Sequence, residues 1–224
     1  MRAVQVLKAY RCEWNVLTVV TRELCGNIRE VYNFYRRNQF AFQQYIPCID
    51  PFGEPRGMRP WSLTPSCYEQ FLKNLFDCWY QDVVRGRTQY NRFFDNLLLI
   101  MAGRVPEACE LRKGCGRQYA VEANGSVFPC HFYMLDQWRI GNLISDTMEE
   151  IEWKREQSGF LQMGAVPHED CQLCRWYWLC RGGCRRDRDC FGDRRILSRN
   201  YFCSAYNHFF EYAFPKLQKL LLGI

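Results

Sequence analysis

The sequence predicts an α/β fold: a few strand–helix units of a parallel sheet over residues 1–104, then a cysteine-rich α+β segment over residues 105–224. Three observations lead there. Apolar β-branched runs alternate with helical periodicity in the first hundred residues. The periodic pattern then breaks near residue 105 into cysteine, glycine and short elements. Finally, fourteen cysteines in 224 residues is far above ordinary usage.

Taken in order, WNVLTVV (14–20) is apolar and β-branched, as a parallel strand buried on both faces requires. From Asn27 to Arg37, Ile28, Val31, Tyr32 and Tyr35 recur at helical spacing. FAFQQYIPC (40–48) reads as a second strand stopped by Pro47, and five Pro and Gly residues between Ile49 and Leu63 mark a loop. Pro65 suits the first turn of a long helix carrying Tyr68, Phe71, Leu72, Leu75, Phe76 and Trp79. A further helix is predicted from about Tyr90 to Met101. Strand–helix–strand of this kind implies a right-handed parallel crossover, yet two strands are too few to close a barrel. Beyond residue 105, Asn124-Gly125 predicts a tight hairpin that sets Cys130 opposite Tyr119. A helix rich in Tyr and Phe is expected over about Ser204 to Leu222, kinked or restarted at Pro215.

The N-terminal fifteen residues lack the apolar core of a signal peptide. The longest apolar stretch, Leu97 to Ala102, is far too short to span a bilayer. A cytoplasmic location is therefore expected, with no membrane partner and with thiolate ligation favoured over a disulfide framework. The net charge is +6, and eight arginines face three acids between Arg175 and Arg199. No DNA- or RNA-binding motif accompanies that basic patch, so it is read as balancing a buried anion, and no nucleic-acid partner is expected.

Eight cysteines form a pattern. Five residues separate Cys109 from Cys115, nine separate Cys115 from Gly125, and four separate Gly125 from Cys130. Then come Cys171-x2-Cys174-x5-Cys180-x3-Cys184 and, eighteen residues on, Cys203. Eight thiolates make two four-ligand sites, and Gly182 and Gly183 let backbone approach the sulfurs closely. Spacing alone does not separate zinc from iron–sulfur.

This pattern resembles the SPASM domain of radical S-adenosylmethionine (SAM) enzymes. Within that group the chain is similar to the anaerobic sulfatase-maturating enzymes, through WNVLTVV, QQYIPCIDP, FLKNLFDCWY, GSVFPCHFYMLDQWRIGN, CRGGCRR and FFEYAFPKL. The resemblance implies the last units of a partial radical SAM (β/α) barrel followed by a SPASM domain with two auxiliary 4Fe–4S clusters. Cys109, Cys115, Cys130 and Cys184 would hold one, and Cys171, Cys174, Cys180 and Cys203 the other. The six remaining cysteines carry no assigned chemistry.

The family's SAM-cleaving Cys-x3-Cys-x2-Cys triplet is absent from the sequence. The resemblance therefore implies a C-terminal portion that is silent alone, or active beside a separately encoded N-terminal half that brings SAM. The complete family oxidises a sulfatase Cys or Ser to formylglycine, so a sulfatase peptide is the implied substrate. Its general base is an aspartate immediately after the hairpin cysteine. His131 stands there in this sequence, and imidazole is a chemically competent replacement. The loop after QYIPC contacts the SAM adenine in the family, which points to Ile49. Two other functions remain open: a maturase of a different peptide, and a non-catalytic iron–sulfur or zinc module for electron transfer.

Overall fold

The computed structural model describes residues 1–87, 89–193 and 196–223, so Arg194 and Arg195 of the basic stretch lie outside the described residues. Two compact units emerge. The first comprises Met1–Ile49, Arg56–Arg104 and Ser204–Ile224, and the second Asp50–Pro55 and Val105–Cys203. A single cut between residues 104 and 105 differs from this division at two places, the final helix and the short segment at 50–55.

In the first unit, α1 (Arg2–Ala9) buries no residue and precedes β1 (Val16–Val20). Next comes α2 (Arg22–Arg37), which begins five residues before the predicted start because the Thr21 hydroxyl caps it, accepting from the Leu24 N–H. β2 (Phe42–Pro47) follows, its last residue unable to continue pairing for want of an N–H. Thr64 caps α3 (Pro65–Val84), with Pro65 in the first turn. A strand that periodicity did not reveal, β3 (Tyr90–Asn91), leads directly into α4 (Arg92–Met101), whose cap is the Asn91 side chain. The three strands pair in parallel in the order β1-β2-β3, with Val16 opposite Gln43 and Val20 opposite Pro47.

β1 departs from the expected two-sided burial. Val20 is fully covered and Thr18 nearly so, but Leu17 and Val19 are 54% and 50% exposed. The covered residues face helices; Thr18 Oγ1 lies 2.9 Å from the Tyr35 hydroxyl of α2. On the opposite face the apolar side chains meet no second layer among the described residues.

The core of this unit is aromatic. Phe76 of α3 packs against Trp79, Phe94 and Phe209 with ring centroids 5.2–5.7 Å apart. Phe209 belongs to α9 (Cys203–Leu222), a continuous helix containing Pro215. This explains why the final helix belongs to the first unit: its buried Tyr206 and Phe209 pack against rings contributed by α3 and α4.

The second unit opens with a one-turn helix at Cys109–Leu111, then an antiparallel sheet of β4 (Ala120–Val121), β5 (Ser126–Phe128) and β6 (Gly141–Asn142) in that order. Ala120 pairs with Phe128 and Val121 with Val127. The Glu122 N–H donates to the Ser126 carbonyl at 3.0 Å. The connection is thus the three residues 123–125, with Gly125 left-handed at φ +84°. The predicted two-residue turn is one residue too short, and Cys130 falls opposite Gln118, not Tyr119. A three-residue loop ending in a left-handed glycine is the other common hairpin solution.

The rest is helical. α5 (Met148–Gln157) starts with a complete capping box between Thr147 and Glu150. α6 (Phe160–Ala165) and the single turns α7 (Tyr177–Cys180) and α8 (Arg185–Arg188) complete the unit. Tyr133, Trp138 and Phe160 form its small core with Cys130.

Candidate iron–sulfur centres

The four cysteines of the first predicted quartet come from four places in the chain. Cys109 opens the one-turn helix, Cys115 follows Gly114, Cys130 ends the hairpin and Cys184 precedes α8. All four line one cavity, together with Gly114, Gly164, Gly183, His131 and Arg185. Small residues make room there: a Cβ on Gly164 would sit 3.0 Å from the Cys115 sulfur.

The electrostatics reflect this convergence. Burial pushes the Cys115 thiol up to about 12, with Arg185 opposing and Cys130 and Cys109 adding to the rise. Burial also pushes Cys184 well above the usual thiol range, Asp187, Cys109 and Cys115 adding to it. Cys130 is raised by burial against hydrogen bonds from the Phe132 N–H and the Gln118 side chain. The one-residue register difference thus has a consequence, because it is what brings Gln118 beside this sulfur.

The second quartet is also a set of neighbours. Cys180 is pushed up to about 12, first by burial, with Cys203, Cys171 and Cys174 adding and the Gly182 N–H opposing. Cys171 is raised by burial, with Arg188 opposing and Cys174 adding. The bend after Cys180 needs left-handed backbone at Arg181 (φ +54°), Gly182 (+86°) and Gly183 (+71°). Two glycines make that affordable. Amide donors also reach sulfur at the first site, where the Arg186 N–H lies 3.4 Å from Cys184 Sγ.

The residues fit a thiolate-ligated cluster on two grounds. Soft sulfur donors are the ligands iron–sulfur clusters take. Arg185, only 2% exposed, leaves Nε and Nη2 without hydrogen-bond partners beside the cysteine cavity. All fourteen cysteines are free thiols. Among the described residues, no three His, Cys, Asp or Glu side chains converge on a position for one ion. A four-iron cube makes a different demand, since each thiolate binds a separate corner.

The other predicted site residues lie as follows. His131 is exposed, on the wall of the four-cysteine cavity, its ring 4.1 Å from that of Phe132. Ile49 is half-buried, two residues past the C-terminal end of β2. Sequence reasoning missed Gly164 and Gln118, which carry no spacing signal. It placed the arginines only as a group. Arg188 turns out to be committed to backbone, its Nη1 donating to Gly164 O at 3.2 Å and its Nη2 to Val166 O.

Comparison with known proteins agrees with this geometry. Residues 109–175 match SPASM, an iron–sulfur cluster-binding domain. The chain is 43% identical over 216 residues to a cysteine-type anaerobic sulfatase-maturating enzyme of Clostridium perfringens (strain ATCC 13124), an alignment covering 96% of the chain and 58% of that protein. It is 37% identical to the cysteine-type enzyme of Clostridium novyi (strain NT), covering 97% and 58%. A serine-type relative from Bacteroides thetaiotaomicron is 25% identical, covering 96% and 55%. The solved structure of native anSMEcpe with bound AdoMet superposes with a TM-score of 0.92 at 42% identity, over 100% of this chain and 60% of that one. The same protein has been solved with bound AdoMet and the Cp18Cys peptide, again at a TM-score of 0.92. The α/β fold and the resemblance read from the cysteine spacing are borne out. The chain spans less than two thirds of each of these relatives. No helix among the described residues is long and apolar enough to cross a membrane.

Proposed function

We propose that this chain corresponds to the C-terminal part of the anaerobic sulfatase-maturating enzymes, binds two auxiliary 4Fe–4S clusters and serves sulfatase maturation beside an N-terminal radical SAM half. The observation that carries the reading is the meeting of Cys109, Cys115, Cys130 and Cys184 around one cavity with a buried arginine. Cys171, Cys174, Cys180 and Cys203 hold the second cluster. When bound, clusters of this kind accept and pass single electrons.

In this reading, residues 1–104 supply the last strand–helix units of the barrel. The apolar, uncovered face of β1 and its edge position in the sheet among the described residues suit a sheet extended by strands of that half. Ile49 contacts the SAM adenine once that half is present, and lying just past a parallel strand's C-terminal end is where such folds bind ligands. His131 accepts the thiol or hydroxyl proton of the target side chain as it is oxidised to formylglycine. The substrate is a sulfatase peptide carrying Cys or Ser. A reducing cytoplasm suits fourteen cysteines of which none is paired in a disulfide.

Anaerobic reconstitution tests the cluster reading: iron and sulfide should each reach about eight per chain with broad visible absorption. Two zinc ions and no colour would overturn it. Co-expression with an N-terminal half and a cysteine-containing sulfatase peptide tests the activity by mass spectrometry. Formylglycine made by this chain alone would refute its dependence on a partner half. Undiminished turnover by H131A in the paired system would remove His131 from the mechanism.

A further inference from the structure

Two buried cations of the second unit, Arg155 and Arg185, each leave two nitrogens without hydrogen-bond partners. Arg155, whose Nε and Nη1 are the unpartnered pair, is matched with Glu152, and it is this acid that has no counterpart at Arg185. Arg185 is 2% exposed and forms no salt bridge among the described residues. Its guanidinium lies 4.9, 4.7 and 4.1 Å from the ring centroids of Tyr133, Trp138 and Phe160. Those three rings fix its orientation and exclude water, yet none carries a compensating negative charge. Only Nη1 makes a conventional hydrogen bond, donating to the Phe160 carbonyl at 2.7 Å. Nε and Nη2 make no hydrogen bond of ordinary geometry, and the Tyr133 hydroxyl beside the guanidinium, which gives its own proton to Asp189 at 3.0 Å, is a neutral acceptor that leaves the charge uncompensated. A buried cation with two idle donors is strongly unfavourable unless an anion completes the site. The same side chain lines the cavity of Cys109, Cys115, Cys130 and Cys184.

Arg188 supplies the contrast. It lies near enough to Cys171 and Cys115 to be affected by both, but its Nη1 and Nη2 are spent on the carbonyls of Gly164 and Val166. Its fork is thus turned to backbone carbonyls, whereas two nitrogens of Arg185 have no partner.

We propose that Arg185 is the guanidinium donor and counter-charge of the cluster held by Cys109, Cys115, Cys130 and Cys184, and that it raises the reduction potential of that cluster; this rests on the cluster-binding reading above. A cube with four thiolate ligands is a net anion, and reduction adds a further negative charge. A fixed cation with N–H groups aimed at sulfur therefore stabilises the reduced form more than the oxidised one. The aromatic box acts as the holder that keeps the planar fork pointed at the cluster.

The test is a redox titration of the reconstituted full chain followed by electron paramagnetic resonance, on wild type, R185M and R185K, with Cys130→Ser identifying the first cluster's signal. In R185M the reduction equilibrium constant of the first cluster should fall tenfold or more, about 59 mV for one electron, while the second stays put. R185K retains charge but lacks the rigid fork, and should fall less. Wild-type chain carrying arginine labelled with 15N in the guanidinium group alone should show nitrogen coupling to the reduced first cluster in pulsed measurements, and R185K should lose it. This second measurement decides the matter if R185M does not fold. Unmoved potentials in R185M with full iron content, equal shifts in both clusters, or no arginine coupling in wild type would each overturn the assignment of Arg185 alone. Failure of the wild-type chain to take up iron and sulfide would overturn the cluster reading as well.

Discussion

Replacing Gly164 by alanine sets two effects of opposite sign against each other. In an ordinary helix interior the change stabilises by about 1 kcal/mol, because glycine has more backbone freedom to lose. In α6 the added Cβ would lie 3.0 Å from Cys115 Sγ and 3.7 Å from both Cys115 Cβ and Arg185 Cδ. Ordinary contact for such atoms is about 3.5–4.0 Å, so the sulfur must retreat by roughly half an ångström. Arg185 is packed among three rings and Cys115 against the same small core, which leaves little slack. Overpacking of this kind costs about 1–3 kcal/mol. The net expectation is a loss of about 0–2 kcal/mol, against a gain of about 1 if the site were open. Urea unfolding of the metal-free chain reads the stability. Iron analysis after reconstitution reads the site, where content should fall from about eight toward about four per chain as one cluster is lost. A G164A chain that is more stable than wild type and still binds all its iron would refute the claim that this glycine exists to admit the Cys115 sulfur.

Other expectations follow from the packing and caps. Phe76→Ala, at the centre of the first unit's aromatic core, should cost about 3–5 kcal/mol in urea unfolding. G125A should destabilise the second unit by more than the 1–2 kcal/mol of a left-handed alanine. Its Cβ would also lie 2.5 Å from Asn142 Oδ1, and amide exchange across β4–β6 would report the loss. Thr147→Ala removes the capping box of α5 and should cost about 1 kcal/mol, read from exchange of the Glu150 N–H. Burial pushes the Glu69 carboxyl up, but hydrogen bonds from Lys73 and His208, reinforced by their charges, outweigh it and hold its pKa below the usual value. A depressed carboxylate contributes stability above its unfolded pKa and loses it as pH falls through the folded one. E69Q should therefore be slightly less stable than wild type at neutral pH, by no more than about 1 kcal/mol for so exposed a group. The difference should begin to shrink below the usual glutamate value of about 4.3 and vanish only once pH falls below the depressed folded pKa, in paired denaturation curves.

The sequence by itself determined the features that depend on local pattern. Helical periodicity revealed α3 and α4, because their apolar faces repeat at 3.6 residues over ten residues or more. The eight spaced cysteines were legible because ligation restricts which residue types serve and how the chain loops between them. Tertiary structure decided what depends on several segments meeting. That Arg185 has idle donors is known only once Tyr133, Trp138 and Phe160 surround it, and spacing carries no record of which N–H groups find partners. β1 looked buried on both faces because an apolar run does not say whether its second layer is present. The hairpin register turned on a single loop residue, too small a difference for Asn-Gly to resolve, yet enough to move Gln118 to Cys130. Likewise, α9 reads as a separate aromatic helix until Phe76 and Phe94 supply the rings it packs against, because burial is a relation between distant segments and not a property of any one of them.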